Sequence, residues 1–327
     1  MKLQTLGPKF RDSTSRFHSR ARRCKTHMVA SLNIRSATAQ DLVACHGVWR
    51  STEVEQSTRP KEPTQLLAQL PLHAHELATG RLLVAEAAGN VVGFGATLER
   101  SGTTYLADLF VRPEHQGRGI GRSLVDALLA DVSGPLFTFA SETPSAQHLY
   151  FTMGMNPVGE FSYLRAEVAN LELVNLDERT FGTNVEELNA ELFEIDRRVT
   201  LRDRRVDMEY AQRDIGSRYL VAKRGDEAVG YGAFTYPFLW PDPDSTIASV
   251  GPIVAVHPSD CVPLLLATIA MAAATSATSI EVMVPVTSHA HRLLLSAGFT
   301  VFSADLYMAS ESGIIDPTRY LPSVDCA

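Results

Sequence analysis

A chain of 327 residues, 45% hydrophobic and 20% charged, has the composition of a globular protein and is too long for one small core, so two domains are expected. Its net charge of −7 disfavours a nucleic-acid partner, and no run of roughly 18 apolar residues is present to span a membrane. Four scattered cysteines, Cys24, Cys45, Cys261 and Cys326, fit neither a disulfide framework nor a metal-ligand spacing, and a reducing cytoplasm is the expected setting.

The charge is uneven along the chain. Residues 1–27 carry +7 and the remainder −14. The basic stretch has no apolar centre, which excludes a secretory signal. A disordered tail, or a start read upstream of the native one at Met28, is preferred over organelle targeting.

Periodicity then predicts a strand at 33–37, helices over 39–51 and 63–77, a hairpin of strands at 81–87 and 91–99, and a strand at 104–111. A glycine-rich turn and a helix over 122–132 follow, then a strand at 135–140, a short helix at 144–154 and a strand near 157–167. Beyond residue 171 the pattern predicts a helix over 185–199, strands near 218–223, 228–235 and 247–256, a helix over 263–276, a strand at 280–284 and a helix over 288–298. Strands and helices mixed around a sheet give an α/β (α+β) class.

The two halves repeat each other. VGFGA (92–96) recurs as VGYGA (229–233), and Val111-x-Pro113 as Val256-x-Pro258. Thr143-x-x-Ala146-x-x-Leu149-Tyr150-x-x-x-Gly154 recurs as Thr287-x-x-Ala290-x-x-Leu293-Leu294-x-x-x-Gly298. The shared order and near-constant offset point to duplication of one domain. The expected organisation is a tail at 1–27, a first copy at 28–168, a second at 169–312 and a C-terminal tail at 313–327.

The chemistry concentrates in RPEHQGRGIG (112–121), between a strand and a helix. Such a turn offers an anion several backbone N–H groups and a helix dipole. A P-loop is excluded because no Lys-Ser/Thr follows, and the dinucleotide fingerprint fails because Arg122 holds its last glycine position. Gln116-Gly117-Arg118-Gly119-Ile120-Gly121 fits the pattern Q/R-x-x-G-x-G/A. With Leu109-Phe110-Val111 before it and Leu149-Tyr150-x-x-x-Gly154-Met155 after it, the sequence resembles the GNAT superfamily of acyl-CoA-dependent N-acetyltransferases over 33–167, and in outline over 171–309.

The resemblance implies two tandem domains of this fold, each a mixed, mostly antiparallel sheet flanked by helices. It implies acetyl-CoA as co-substrate, with its pyrophosphate on the N–H groups of 117–122, charge from Arg118 and Arg122, and its arm along Leu109, Phe110 and Val111. Thr143 and Ala146 stand at further cofactor positions, although Thr143 replaces the family's usual asparagine. Tyr150 is implied as general acid to the leaving thiolate; on the residues alone it reads as a core tyrosine. A base is also needed, because a primary amine is protonated at pH 7. Asp108, inside an otherwise apolar strand, is the preferred candidate beside Glu86, Glu99 and Glu142, with a paired structural carboxylate as its other reading. His115 and His148 are expected to face solvent. No metal is expected.

The second copy has no glycine in Val256–Pro263, carries Asp260 where a phosphate would lie, and has Leu294 in place of the tyrosine. It is expected to keep the fold and lack the chemistry. The acidic body suits a cationic acceptor amine, whether on a small metabolite, an aminoglycoside-like compound, a polyamine or a protein N-terminus. The loop 237–245, with Trp240, Asp242 and Asp244, is either a wall of the acceptor pocket or a plain surface loop. A CoA-binding sensor or scaffold without turnover is the alternative function, and the oligomeric state is left open.

Overall fold

The first half of the chain folds as β1 (Asn33–Ser36), α1 (Leu42–Gln56), α2 (Pro71–Thr79), β2 (Arg81–Ala87), β3 (Asn90–Arg100), β4 (Thr103–Val111), α3 (Ile120–Leu129), β5 (Leu136–Ala140), α4 (Pro144–Thr152) and β6 (Asn156–Glu167). The second half adds β7 (Gly182–Glu186), α5 (Ala190–Thr200), α6 (Arg205–Asp214), β8 (Arg218–Arg224), β9 (Glu227–Thr235), β10 (Ile247–Ala255), α7 (Pro258–Ala273), β11 (Ser279–Pro285), α8 (His289–Ser296), β12 (Thr300–Ala309) and β13 (Tyr320–Leu321). These elements come from a computed structural model that describes residues 32–56, 70–141, 143–171, 182–238 and 246–323. The basic stretch 1–27, Glu142, and Trp240, Asp242 and Asp244 lie outside the described residues.

Three elements of the second copy depart from expectation. The helix expected from residue 185 starts at Ala190, because Val185 and Glu186 pair in β7 and Asn189 caps the helix, its side chain accepting from the N–H groups of Glu191 and Leu192 at 3.0 and 3.1 Å. Helix α6 is too polar for its apolar stripe to stand out. Helix α7 begins five residues before the expected Pro263, at Pro258, where the missing N–H costs nothing. No helix among the described residues is long and apolar enough to cross a membrane.

The described strands form one sheet in the order β1-β2-β3-β4-β5-β12-β6-β11-β10-β9-β8-β7, with β13 paired to β10. Each copy's last strand is exchanged. β12 of the second copy pairs with β5 of the first (Leu306 with Ala140), β6 of the first pairs with β11 of the second (Leu164 with Val282), and β6 and β12 pair with each other. Helices cover both faces. In the first copy α1 and α2 pack Trp49 and Leu70 on Val84, Phe94 and Ala96, while α3 and α4 pack Leu124, Leu128 and Tyr150 on Leu106 and Ala140 from the other side. The second copy buries Leu264, Ile269 and Leu294 on one face and Leu192, Met208, Tyr219 and Tyr231 on the other.

A buried polar contact joins α6 to the first copy. Arg100 donates to both oxygens of Asp207 at 2.7 and 2.6 Å, and His75 Nε2 lies 2.7 Å from Oδ1 while its ring stacks on Tyr210. Burial opposes ionisation of Asp207, but the hydrogen bonds from Arg100 and His75 outweigh it and hold the carboxyl down at about 2. A depressed carboxyl stabilises the fold above its unfolded-state value and loses that contribution as pH falls through its folded one. Between about pH 4 and pH 2, Asp207 should therefore account for about 2 kcal/mol of lost stability. Urea denaturation across that range should show the slope in the native protein and a smaller one in Asp207→Asn. At neutral pH, Asp207→Ala should cost about 3–5 kcal/mol, since it leaves Arg100 buried without a counter-charge.

Candidate functional site

Strand β4 pairs with β5 in parallel only at Thr104–Leu136 and Tyr105–Phe137, after which the two strands part. The Thr138 hydroxyl donates to the Leu106 carbonyl at 2.8 Å in the crotch of the fork. Beyond it, no strand among the described residues pairs with this side of Leu106–Val111, which leaves a backbone edge open. On its other side β4 pairs with β3, where Ala96 faces Asp108 and Thr97 faces Leu106. Ala107 is thus an extra residue, a bulge that bends β4 at the fork. Phe110 stacks on Phe94 on the α1/α2 face, and Leu109 and Val111 join the core under α3.

The glycine turn lies at the end of this open edge. Gly117 and Gly119 have φ of +71° and +81°, which only glycine adopts readily, and the space where their side chains would be is empty. The glycines are therefore required by backbone geometry, and crowding plays no part at these two positions. Gln116 Nε2 donates to the Val111 carbonyl at 2.9 Å, tying the turn to the strand. Gly119 caps α3, whose Ser123 N–H bonds back to it at 3.0 Å, so the N–H groups of Ile120, Gly121 and Arg122 are the unpaired donors of the first turn. Arg118 and Arg122 are exposed, held by the Glu114 carbonyl and the Thr152 hydroxyl at 2.8 and 2.5 Å. Thr143 caps α4 without a side-chain hydrogen bond to the helix, and Ala146 packs on the core beside it.

Tyr150 lies on α4 against the core beneath β4 and β5, with its side chain buried. Burial, then the carboxylates of Asp108 and Asp305, push its phenol well above the usual tyrosine range, so it holds its proton. Asp305 comes from the exchanged strand β12, where the Tyr163 hydroxyl donates to it at 2.7 Å.

Asp108 points to the α1/α2 face, and two residues of α2 that sequence reasoning passed over meet it there. His73 Nε2 is 3.3 Å from Asp108 Oδ2, and Glu76, one turn on, completes a set of donor atoms within 4.8 Å of one another. Burial, then Asp108, push the Glu76 carboxyl far above the usual range. The available signal was the run of His73, His75 and Glu76 in a helix whose neighbours are apolar. Glu86 pairs with Arg35, Glu99 and His148 are exposed, and His115 is half-buried.

The second copy provides a contrast. β10 and β11 also pair in parallel, from Ile247–Ser279 to Val250–Val282, and then part. That fork is filled. β13 pairs with β10 at Ile253–Leu321 and Val254–Tyr320, and the Ala255 N–H donates to the Arg319 carbonyl at 2.8 Å. Tyr320 is fully buried and accepts from Arg204, which is itself paired with Asp196. Asp260 is not free to face a ligand, as it pairs with Arg224 at 2.9 Å, and Pro263 lies inside α7 away from its first turn.

Residues 78–154 match the family model of the acetyltransferase (GNAT) domain. A mycothiol acetyltransferase of Clavibacter sepedonicus is 38% identical over 81 residues, which cover 24% of this chain and 26% of that protein. The match thus spans about a quarter of that curated relative's length. Among solved structures, a Pyrococcus horikoshii protein described as an acetyltransferase superposes with a TM-score of 0.64 at 19% identity, covering 89% of this chain and 93% of the other. A tandem GNAT protein from the clavulanic acid biosynthesis pathway superposes with a TM-score of 0.59 at 15% identity, covering 88% of this chain and all of the other. At these identities the superpositions speak for the fold alone. Residues 78–154 thus match the acetyltransferase (GNAT) domain, and the described residues share the fold of a tandem GNAT protein.

Proposed function

We propose that the chain is an N-acetyltransferase that moves an acetyl group from acetyl-CoA to a primary amine by direct attack in a ternary complex. The active copy is the first, residues 28–168, and the second, 169–312, is its scaffold, with the C-terminal segment from 313 as a plug. The observation that carries this reading is the pair of forks: β4 keeps an open edge beside a glycine turn, and the equivalent edge of β10 is covered by β13.

In this reading the pantetheine arm adds to the open edge of Leu109–Val111 as an extra strand, and the pyrophosphate rests on the N–H groups of residues 117–122. Arg118 and Arg122 swing from their present partners to the phosphates, and Thr143 and Ala146 border the arm. A backbone N–H of β4 polarises the thioester carbonyl. The amine nitrogen bonds to the carbonyl carbon, and the carbon–sulfur bond breaks. The thiolate takes the proton of Tyr150, whose raised pKa suits an acid, and Asp108 takes the proton the amine sheds. The acceptor is a cationic amine, which suits the acidic body of the chain. A reducing cytoplasm suits Cys45 and Cys261, whose buried thiols are pushed up to about 12, chiefly by burial itself.

Acetyl-CoA should raise the melting temperature of the full chain, because a ligand that binds only the folded state stabilises it. Gly119→Asp should remove that shift by setting a carboxylate against the pyrophosphate; an undiminished shift would overturn the assignment. Tyr150→Phe should keep the shift and lose 10²-fold or more of CoA release with an accepting amine, on the order expected for a lost general acid. A CoA sensor without turnover would instead release no CoA with any amine in either form. Without ligand, Gly119→Ala should destabilise by about 1 kcal/mol through its positive φ. Gly121→Ala, with only ordinary contacts at 3.9 Å, should be neutral or stabilising in chemical denaturation.

A further inference from the structure

The nest under α1 and α2 has an unresolved charge balance. Glu76 and His73 are fully buried and Asp108 is 7% exposed. Apart from the proton that Glu76 keeps and shares with Asp108, no protein donor reaches the Glu76 oxygens, and His73 Nε2 meets only Asp108 Oδ2, at 3.3 Å. Among the described residues no lysine or arginine pairs with either carboxyl; Arg100, the guanidinium on the adjacent strand, is spent on Asp207. The surroundings are Phe94, whose ring stands edge-on to His73 at 5.0 Å, and His46, itself stacked on Trp49. Buried polar atoms left without partners in this way are costly to the fold.

The proton shared between the acids satisfies one oxygen of each and leaves the other carboxyl oxygens and His73 Nδ1 without a partner. A dication that displaces this proton is shared by all three residues and offsets both carboxylates. The geometry also fits. His73 and Glu76 are three residues apart and share one face of α2, and Asp108 faces them from β4. Bonds of about 2.0–2.1 Å from a tetrahedral metal set neighbouring donors about 3.3 Å apart, and His73 Nε2 and Asp108 Oδ2 are 3.3 Å apart. Glu76, hydrogen-bonded to Asp108, has a donor oxygen within 4.8 Å of both other ligands.

We propose that His73, Glu76 and Asp108 form a binding site for a divalent transition-metal ion of the zinc class. One nitrogen and two carboxylates are too few for calcium, which takes six to eight oxygens, or for magnesium, which demands six. An imidazole with carboxylates suits zinc, and three protein ligands leave a fourth position open. The ion enters from the Asp108 side, the one member of the set with residual exposure. Its consequence for turnover rests on the acetyltransferase reading: a metal bound by Asp108 removes the proton acceptor, so zinc acts as a reversible inhibitor.

The test is calorimetric titration of zinc sulfate into chelator-stripped full-length protein at pH 7. One equivalent should bind at micromolar or lower concentration. Glu76→Gln, close in shape to the native residue, and His73→Ala should each weaken binding tenfold or more, and His148→Ala, on the surface, should leave it unchanged. Cobalt(II) in place of zinc should give visible absorption that is lost in Glu76→Gln, a readout that survives if His73→Ala does not fold. Absence of binding at 100 µM zinc, or binding indifferent to Glu76→Gln, would overturn the site. The acetyl-CoA melting shift, measured on the same stripped protein, fails only if the cofactor assignment is wrong, so the two failures are distinguishable.

Discussion

Two residue pairs, Thr104–Leu136 and Tyr105–Phe137, hold β4 against β5, and the rest of the site follows from their being only two. Past them the strands diverge, and a stretch of half-buried strand is left with hydrogen-bonding groups facing a gap. Such groups are costly unless something pairs with them. In the second copy the chain itself answers that cost with β13; in the first no described strand covers the edge. The bulge at Ala107 sits at the same place, so the backbone that opens the gap also turns Asp108 toward α2. An open backbone edge and the placement of Asp108 against α2 thus both lie at one local divergence in a sheet.

The second copy is bound to this arrangement by more than proximity. Its β12 lies along β5 and carries Asp305, one of the charges that keeps the Tyr150 phenol protonated. Its α6 sends Asp207 to Arg100 and His75, on the strand and helix that border the nest. The copy without an open fork still fixes the electrostatics and the position of the parts that surround the open one.

Much of this was legible in the sequence. The glycine turn was readable because positive φ leaves glycine as the ready choice, and the strand and helix on either side have clean periods. Duplication was readable from recurring short motifs. Strand exchange was not, because β6 and β12 have the same alternation whichever neighbour they pair with, and pairing partners leave no local mark. β13 was also out of reach: two residues make no period. The nest was hidden for a different reason. Asp108 stood out as a charge in an apolar strand, but His73 and Glu76 lie on a helix over thirty residues earlier, and only the packing of α2 on the sheet brings them together.

The exchange of last strands also determines when the molecule can become itself. Ala140 is paired with Leu306, so the sheet of the first half stays incomplete until β12 has been made. Until then β5 and β6 present raw edges, and contacts of such sequence separation form slowly. The two halves share one continuous sheet, so parting them would bare the edges of β5 and β6 to solvent and to pairing with other chains.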